Sequence, residues 1–139
     1  MKKVSWIHGA DVQLEDSSWK ALPQAFSTTV RPEKKLSGWI HIAIPTPVWL
    51  EGAKLKAQTA HVQVATGAAR ISTIHVRDGE LKILDIDSNI TGPAKVPISF
   101  EIPGTPAISV GTVISMLVDF VNGGPDAWVQ VIGGGIDFV

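Results

Sequence analysis

Period-two alternation along residues 108–138 constrains this chain more than any other feature. Ile108, Val110, Thr112, Ile114, Met116, Val118 and Phe120 fall on one parity. Successive side chains of a strand point to opposite faces, so these residues share a face when the chain is extended. The other parity, from Ser109 through Gly111, Val113, Ser115, Leu117 and Asp119 to Val121, is mixed. The β-branched residues and Gly111 weigh against a helix. The run is long for one strand and predicts a bend near Gly111. Asn122-Gly123-Gly124-Pro125-Asp126 then reverses the chain, glycine by adopting positive φ and proline by withholding an N–H. Residues 127–132 return, with Trp128, Gln130 and Ile132 on one face and Val129 and Val131 on the other. Gly133-Gly134-Gly135 interrupts this arm before Ile136-Asp137-Phe138-Val139 resumes it. The pattern predicts a long β-hairpin with a glycine kink in its second arm, and a second sheet packed against it.

The upstream residues repeat the theme. Ile40, Ile42 and Ile44 share one face of a strand, opposite Trp39, His41 and Ala43. Pro45 and Pro47 end it, since proline cannot donate to a central ladder. Residues 54–65 place Val62 and Val64 inward with His61 and Gln63 on the reverse face, and Ile74 and Val76 oppose Thr73, His75 and Arg77. Asp78-Gly79 marks a hairpin with a type I′ turn. Pro97 consigns the strand around Ile98 and Phe100 to an edge or a bulge. Residues 19–31 read as irregular, passing into a strand. Eight to ten strands with almost no helix predict an all-β, single-domain antiparallel two-sheet sandwich over residues 1–139, jelly-roll-like, with a small β-barrel as the alternative.

A chain of 139 residues buries roughly two-thirds of its unfolded surface and needs no covalent staples. It has no cysteine, which excludes disulfides, thiolate catalysis and Cys-ligated zinc. The net charge is −1 and the main basic cluster is Arg31 with Lys34-Lys35, so a nucleic-acid partner is not expected. No run approaches the roughly 18 apolar residues that span a bilayer. Ser5, His8 and Asp11 interrupt the apolar segment a signal peptide needs, and a cytoplasmic location is the default expectation.

Trp6-Ile7-His8-Gly9, Trp39-Ile40-His41-Ile42 running into Ile44-Pro45-Thr46-Pro47-Val48, Ile74-His75-Val76-Arg77-Asp78-Gly79 and Ile108-Ser109-Val110-Gly111 resemble a family of small uncharacterised bacterial proteins. The resemblance spans most of the chain. It implies one small domain and carries over no catalytic residue.

Three groups of residues are candidates for chemistry. His41, His61 and His75 lie on three successive predicted strands, each opposite the aliphatic face. Three converging imidazoles with an open position bind zinc or iron and activate water. Scattered surface histidines are the plainer reading. Asp85, Asp87 and Asn89 are spaced like the opening of a calcium loop, although Ile90 and Val96 stand where that loop has glycine and glutamate. A strand end followed by an Asx-rich turn is the alternative. Trp19, Trp49 and Trp128 fall at predicted loop edges, where an indole stacks on a sugar or enters an interface. Trp6 and Trp39, inside strands, read as core. Gly133-Gly134-Gly135 has no following lysine or helix and reads as a bulge or a close backbone approach, not a phosphate loop.

The sequence therefore favours a non-enzymatic binding or self-assembly module of unknown ligand and cofactor. Self-association is expected from Val113, Leu117 and Val121, which a monomer with one covered sheet face would expose. A three-histidine metalloenzyme and a carbohydrate-binding, lectin-like module are the alternatives.

Overall fold

A computed structural model describes residues 3–45, 55–93 and 96–139. Among them are eleven strands and one turn of 3-10 helix, Gly9–Asp11. Five strands form one sheet in the order β2 (Gln13–Leu14), β5 (Ser37–Ile44), β10 (Thr112–Phe120), β7 (Ala69–Asp78), β8 (Leu81–Ile90). The second sheet runs β3 (Lys20–Pro23), β4 (Thr28–Arg31), β11 (Val129–Phe138), β6 (Ala57–Thr66), β9 (Ile98–Glu101). In it β1 (Lys3–His8) also pairs with β11, continuing the edge where β4 stops. All pairings are antiparallel. The protein is an all-β two-sheet sandwich, with no closed barrel. No helix among the described residues is long and apolar enough to cross a membrane.

Parity explains which face each strand buries. Ile40, Ile42 and Ile44 of β5, Ile114, Met116 and Val118 of β10, and Ile74 and Val76 of β7 turn inward. They meet Val62 and Val64 of β6 and Val129, Val131, Ile136 and Phe138 of β11 in one cluster between the sheets. Pro97 precedes β9, which is an edge strand as its proline requires.

Two local expectations are corrected. The segment 108–138 is not a hairpin. β10 and β11 lie in different sheets, and residues 121–128 arch between them. Each becomes the middle strand of its layer. Turn residues dictate that the chain reverses, but not which layer receives the returning strand, and both layers accept an arm with the same buried parity. β10 also begins only at Thr112. The backbone N–H groups of Ser109, Val110 and Gly111 donate to the buried Asp78 carboxylate at 2.8, 2.8 and 3.1 Å. That capture leaves the Val110 side chain 80% exposed.

The β7–β8 turn is also displaced. Asp78 pairs with Leu81, so the central residues are Gly79 and Glu80, one place later than the dipeptide predicts. Gly79 has φ of +59° and Glu80 is not in the positive region, as in a turn of the II′ class and not I′.

The glycine run does mark a bulge and a close approach. The register slips between Val131 and Gly133. Gly133 and Gly135 then lie under the Trp6 ring, where added β-carbons would stand 2.5 Å from Cζ2 and 2.8 Å from Cε3.

Candidate functional site

The outer face of the five-stranded sheet is built in rows by the register. Trp39 of β5 lies opposite Leu117 of β10, and Leu117 opposite Thr73 of β7. The next row reads His41, Ser115, His75 and Asp85 across four strands. Beyond it lie Ala43, Val113 and Arg77. Two residues of strand separate the rows by about 6.7 Å, so Ser37 to Ala43 covers about 20 Å along β5.

Hydrogen bonds fix these side chains. His41 Nδ1 is 2.7 Å from Ser115 Oγ, and its Nε2 is 3.1 Å from a Glu15 carboxylate oxygen. His75 Nε2 is 3.1 Å from Asp85 Oδ1. The Trp39 indole leans on the His75 ring, with centroids 4.7 Å apart and planes at 34°. Lys82 Nζ, 2.8 Å from Asp85, holds that carboxyl below the ordinary aspartate range by its hydrogen bond, with the charge of His75 adding to it and partial desolvation opposing. Asp16 is lowered chiefly by the Ser18 hydroxyl, then by the Ser18 N–H, with Lys35 and Lys34 nearby.

Two depressions open along this face, and Trp39 and Glu15 border both. The larger, about 560 Å³, extends from Trp39 and Leu117 past Ser37 to Lys34 and Lys35 on one wall and Asp16 to Ser18 on the other. The smaller, about 170 Å³, is formed by His41, His75, Ser115 and Arg77. The result is a groove along the strand direction with an aromatic ring at its middle and polar walls.

The three histidines do not converge. His41 and His75 flank Ser115 in this groove, whereas His61 is on β6, in the opposite sheet. β5, β6 and β7 alternate between layers, so identical parity puts their outward faces on opposite sides of the molecule. His61 instead joins Ser99 Oγ (2.7 Å from Nδ1) to the buried Asp137 (3.0 Å from Nε2), tying edge strand β9 to β11 across β6. Among the described residues, no three His, Asp or Glu side chains are grouped to hold a metal ion.

Asp85, Asp87 and Asn89 do not form a loop. All three lie within β8, where an extended backbone sends alternate side chains out side by side and cannot wrap them round a cation. Asp85 is occupied by Lys82 and His75.

Trp19 is core, 4% exposed, packed edge-on against Phe120 at 5.1 Å. Its N–H donates to the Lys35 carbonyl at 2.8 Å. Gly38 makes room for its ring, since a β-carbon there would stand 2.8 Å from Trp19 Cη2. Trp128 is half-buried and covers Gly67 at one end of the sandwich. Trp49 lies outside the described residues.

Of the two aromatics that sequence reasoning assigned to the core, neither is fully buried, and Trp39 is the one on the groove. The signal was present in its parity, which it shares with His41 and not with Ile40. Val113 and Leu117 are half-buried and help pave this face.

The profile of a family of unknown function, DUF6623, matches residues 1–139. The chain belongs to DUF6623. That membership agrees with the resemblance to an uncharacterised family. No curated protein matches this DUF6623 chain. Among solved structures, the DUF6623 fold is similar to a low-affinity xylan-binding module, CBM86, from Roseburia intestinalis, at 12% identity and a TM-score of 0.58, covering 100% of this chain and 96% of that one. It is also similar to a family 29 carbohydrate-binding module from Piromyces equi, at 11% identity and a TM-score of 0.55, covering 99% and 89%. A family 29 module mutant complexed with cellulohexaose is 6% identical, with a TM-score of 0.51 and coverage of 98% and 91%. At such identities the likeness is one of fold.

Proposed function

We propose that this protein is a carbohydrate-binding module and that its ligand lies along the groove centred on Trp39. The observation that carries this reading is the Trp39 indole itself, partly exposed on the outer sheet face and packed against the neighbouring His75 ring. A pyranose has an apolar C–H face and a rim of hydroxyls. An indole accepts the face by dispersion and burial of apolar area, and fixed polar groups accept or donate at the rim. Glu15, His41, Ser115 and Arg77 supply both donors and acceptors beside the ring. The strand-wise run of the groove suits an extended chain of several sugars. The sandwich likeness to modules described as binding xylan or cellulohexaose supports the same reading.

Affinity electrophoresis in gels containing xylan, mannan or a soluble cellulose derivative tests it. At least one polysaccharide is expected to retard the protein, and Trp39→Ala to weaken binding by about tenfold or more, ~1.4 kcal/mol per decade. The circular dichroism spectrum should be unchanged, because the Trp39 ring packs outside the core. Unretarded migration in every gel, or a Trp39→Ala variant that binds like the wild type, defeats the proposal.

A further inference from the structure

Resting on the carbohydrate reading above, we infer that the groove takes an anionic polysaccharide, with Arg77 at one end and the Lys34–Lys35 pair at the other contacting its charged groups. The case comes from which charges along this face are already matched. Asp16 accepts from the Ser18 N–H at 2.9 Å and the Ser18 hydroxyl at 2.6 Å. Glu15 faces His41 Nε2 at 3.1 Å. On the flanks, Asp85 has Lys82 and His75, and Asp119 has Arg70 at 3.5 Å and the Ser37 hydroxyl at 2.7 Å. Asp87 is on the edge strand β8, outside both depressions.

The cations of the groove outnumber the carboxylates that face them: Lys34 and Lys35 both act on the one carboxylate of Asp16 across the larger depression. Among the described residues, no carboxylate is paired with Lys34, Lys35 or Arg77. Arg77 donates from Nη1 to the Glu80 carbonyl at 3.3 Å. That leaves most of its planar fork for a ligand, and the fork fits carboxylate and sulfate oxygens two at a time. The lysines are not on a loose loop. The buried Trp19 indole donates to the Lys35 carbonyl, and the Phe120 N–H donates to the Leu36 carbonyl at 2.7 Å. Both ends of the groove are therefore set in place with positive charge in excess. A neutral chain gives such groups only hydroxyls to bind, whereas an anionic one matches them.

Uronate carboxylates and sulfate esters share this chemistry, and the ligand panel separates them. Titration calorimetry compares neutral arabinoxylan and cellohexaose with glucuronoxylan, polygalacturonate and a sulfated galactan, at low salt and at ~0.3 M salt, where screening is short-ranged. An anionic glycan is expected to bind about tenfold tighter than the neutral ones at low salt, and to lose that advantage in high salt. Arg77→Gln and the double change Lys34→Gln with Lys35→Gln should each erase the advantage, lowering anionic-glycan affinity far more than neutral-glycan affinity and leaving the thermal midpoint unchanged. Equal or tighter binding of the neutral glycans overturns this inference while the carbohydrate reading stands. An anionic preference that survives both cation-removing variants overturns it too. If no glycan of either kind binds, the carbohydrate reading fails and this inference with it.

Discussion

Trp39 and His75 show how one residue's place in a strand decides its chemistry. Tryptophan inside a strand is usually core, yet the odd parity of β5 carries Trp39 outward, and a histidine two strands away becomes its support. What parity cannot supply is the partner. His75 reaches Trp39 because β10 separates β5 from β7 and aligns His41 with His75 across Ser115. Asp85 anchors the far side of His75, and it yields a prediction at this scale. Its carboxyl is depressed first by the Lys82 hydrogen bond. The folded value is the lower one, so the pairing adds stability at neutral pH. That contribution is lost as pH falls from the ordinary aspartate range through the depressed value. Lys82→Met should move the Asp85 titration up toward the ordinary range in carboxyl-carbon NMR spectra. A midpoint that stays where it was would show that Lys82 does not set it.

Single strands were legible where both parities differed in character. β5, β6 and β7 have aliphatic residues on one side and polar or ring-bearing residues on the other, and their inward faces are as predicted. Connections were not legible. The arch from β10 to β11 and the alternation of β5, β6 and β7 between layers depend on pairings distant in sequence. The histidine and hairpin expectations failed at that point and not in the strands themselves. The Asp85–Asn89 spacing misled for a related reason. Acidic residues at alternate positions signal a calcium loop only if the backbone curls, and β8 is extended. The glycine run was readable as a close approach, though its occupant, Trp6, was not. A Gly135→Ala side chain would stand 2.7 Å from the Ser5 carbonyl oxygen and 2.8 Å from Trp6 Cε3. Because the first of these is backbone, β1 itself must shift. The variant is expected to lose about 1–3 kcal/mol, read from its urea midpoint. A midpoint equal to the wild type would show that β1 yields without cost.

At the scale of the whole molecule, the two-layer sandwich follows from hydrophobic sorting alone, but the groove follows from how the layers are threaded. Its cations come from the 32–36 connection and from β7, its ring from β5 and its two carboxylates, Glu15 and Asp16, from just beyond β2. No short motif contains them, which is why scanning for motifs found no site. A chain ending at Val121 tests the threading. It retains ten of the strands but lacks β11, the neighbour of β1, β4 and β6. It should show no cooperative thermal transition by circular dichroism. A sharp transition in the shortened chain would mean that β11 is dispensable.

The keystone of each layer is thus made after the strands on both of its sides. During synthesis, β5 and β7 wait for β10, and β4 and β6 wait for β11. Neither half-built layer can close early, and loop closure between such distant partners is slow. The nascent chain therefore holds the β3–β4 and β7–β8 hairpins before it has the strands that join them to the rest of each layer.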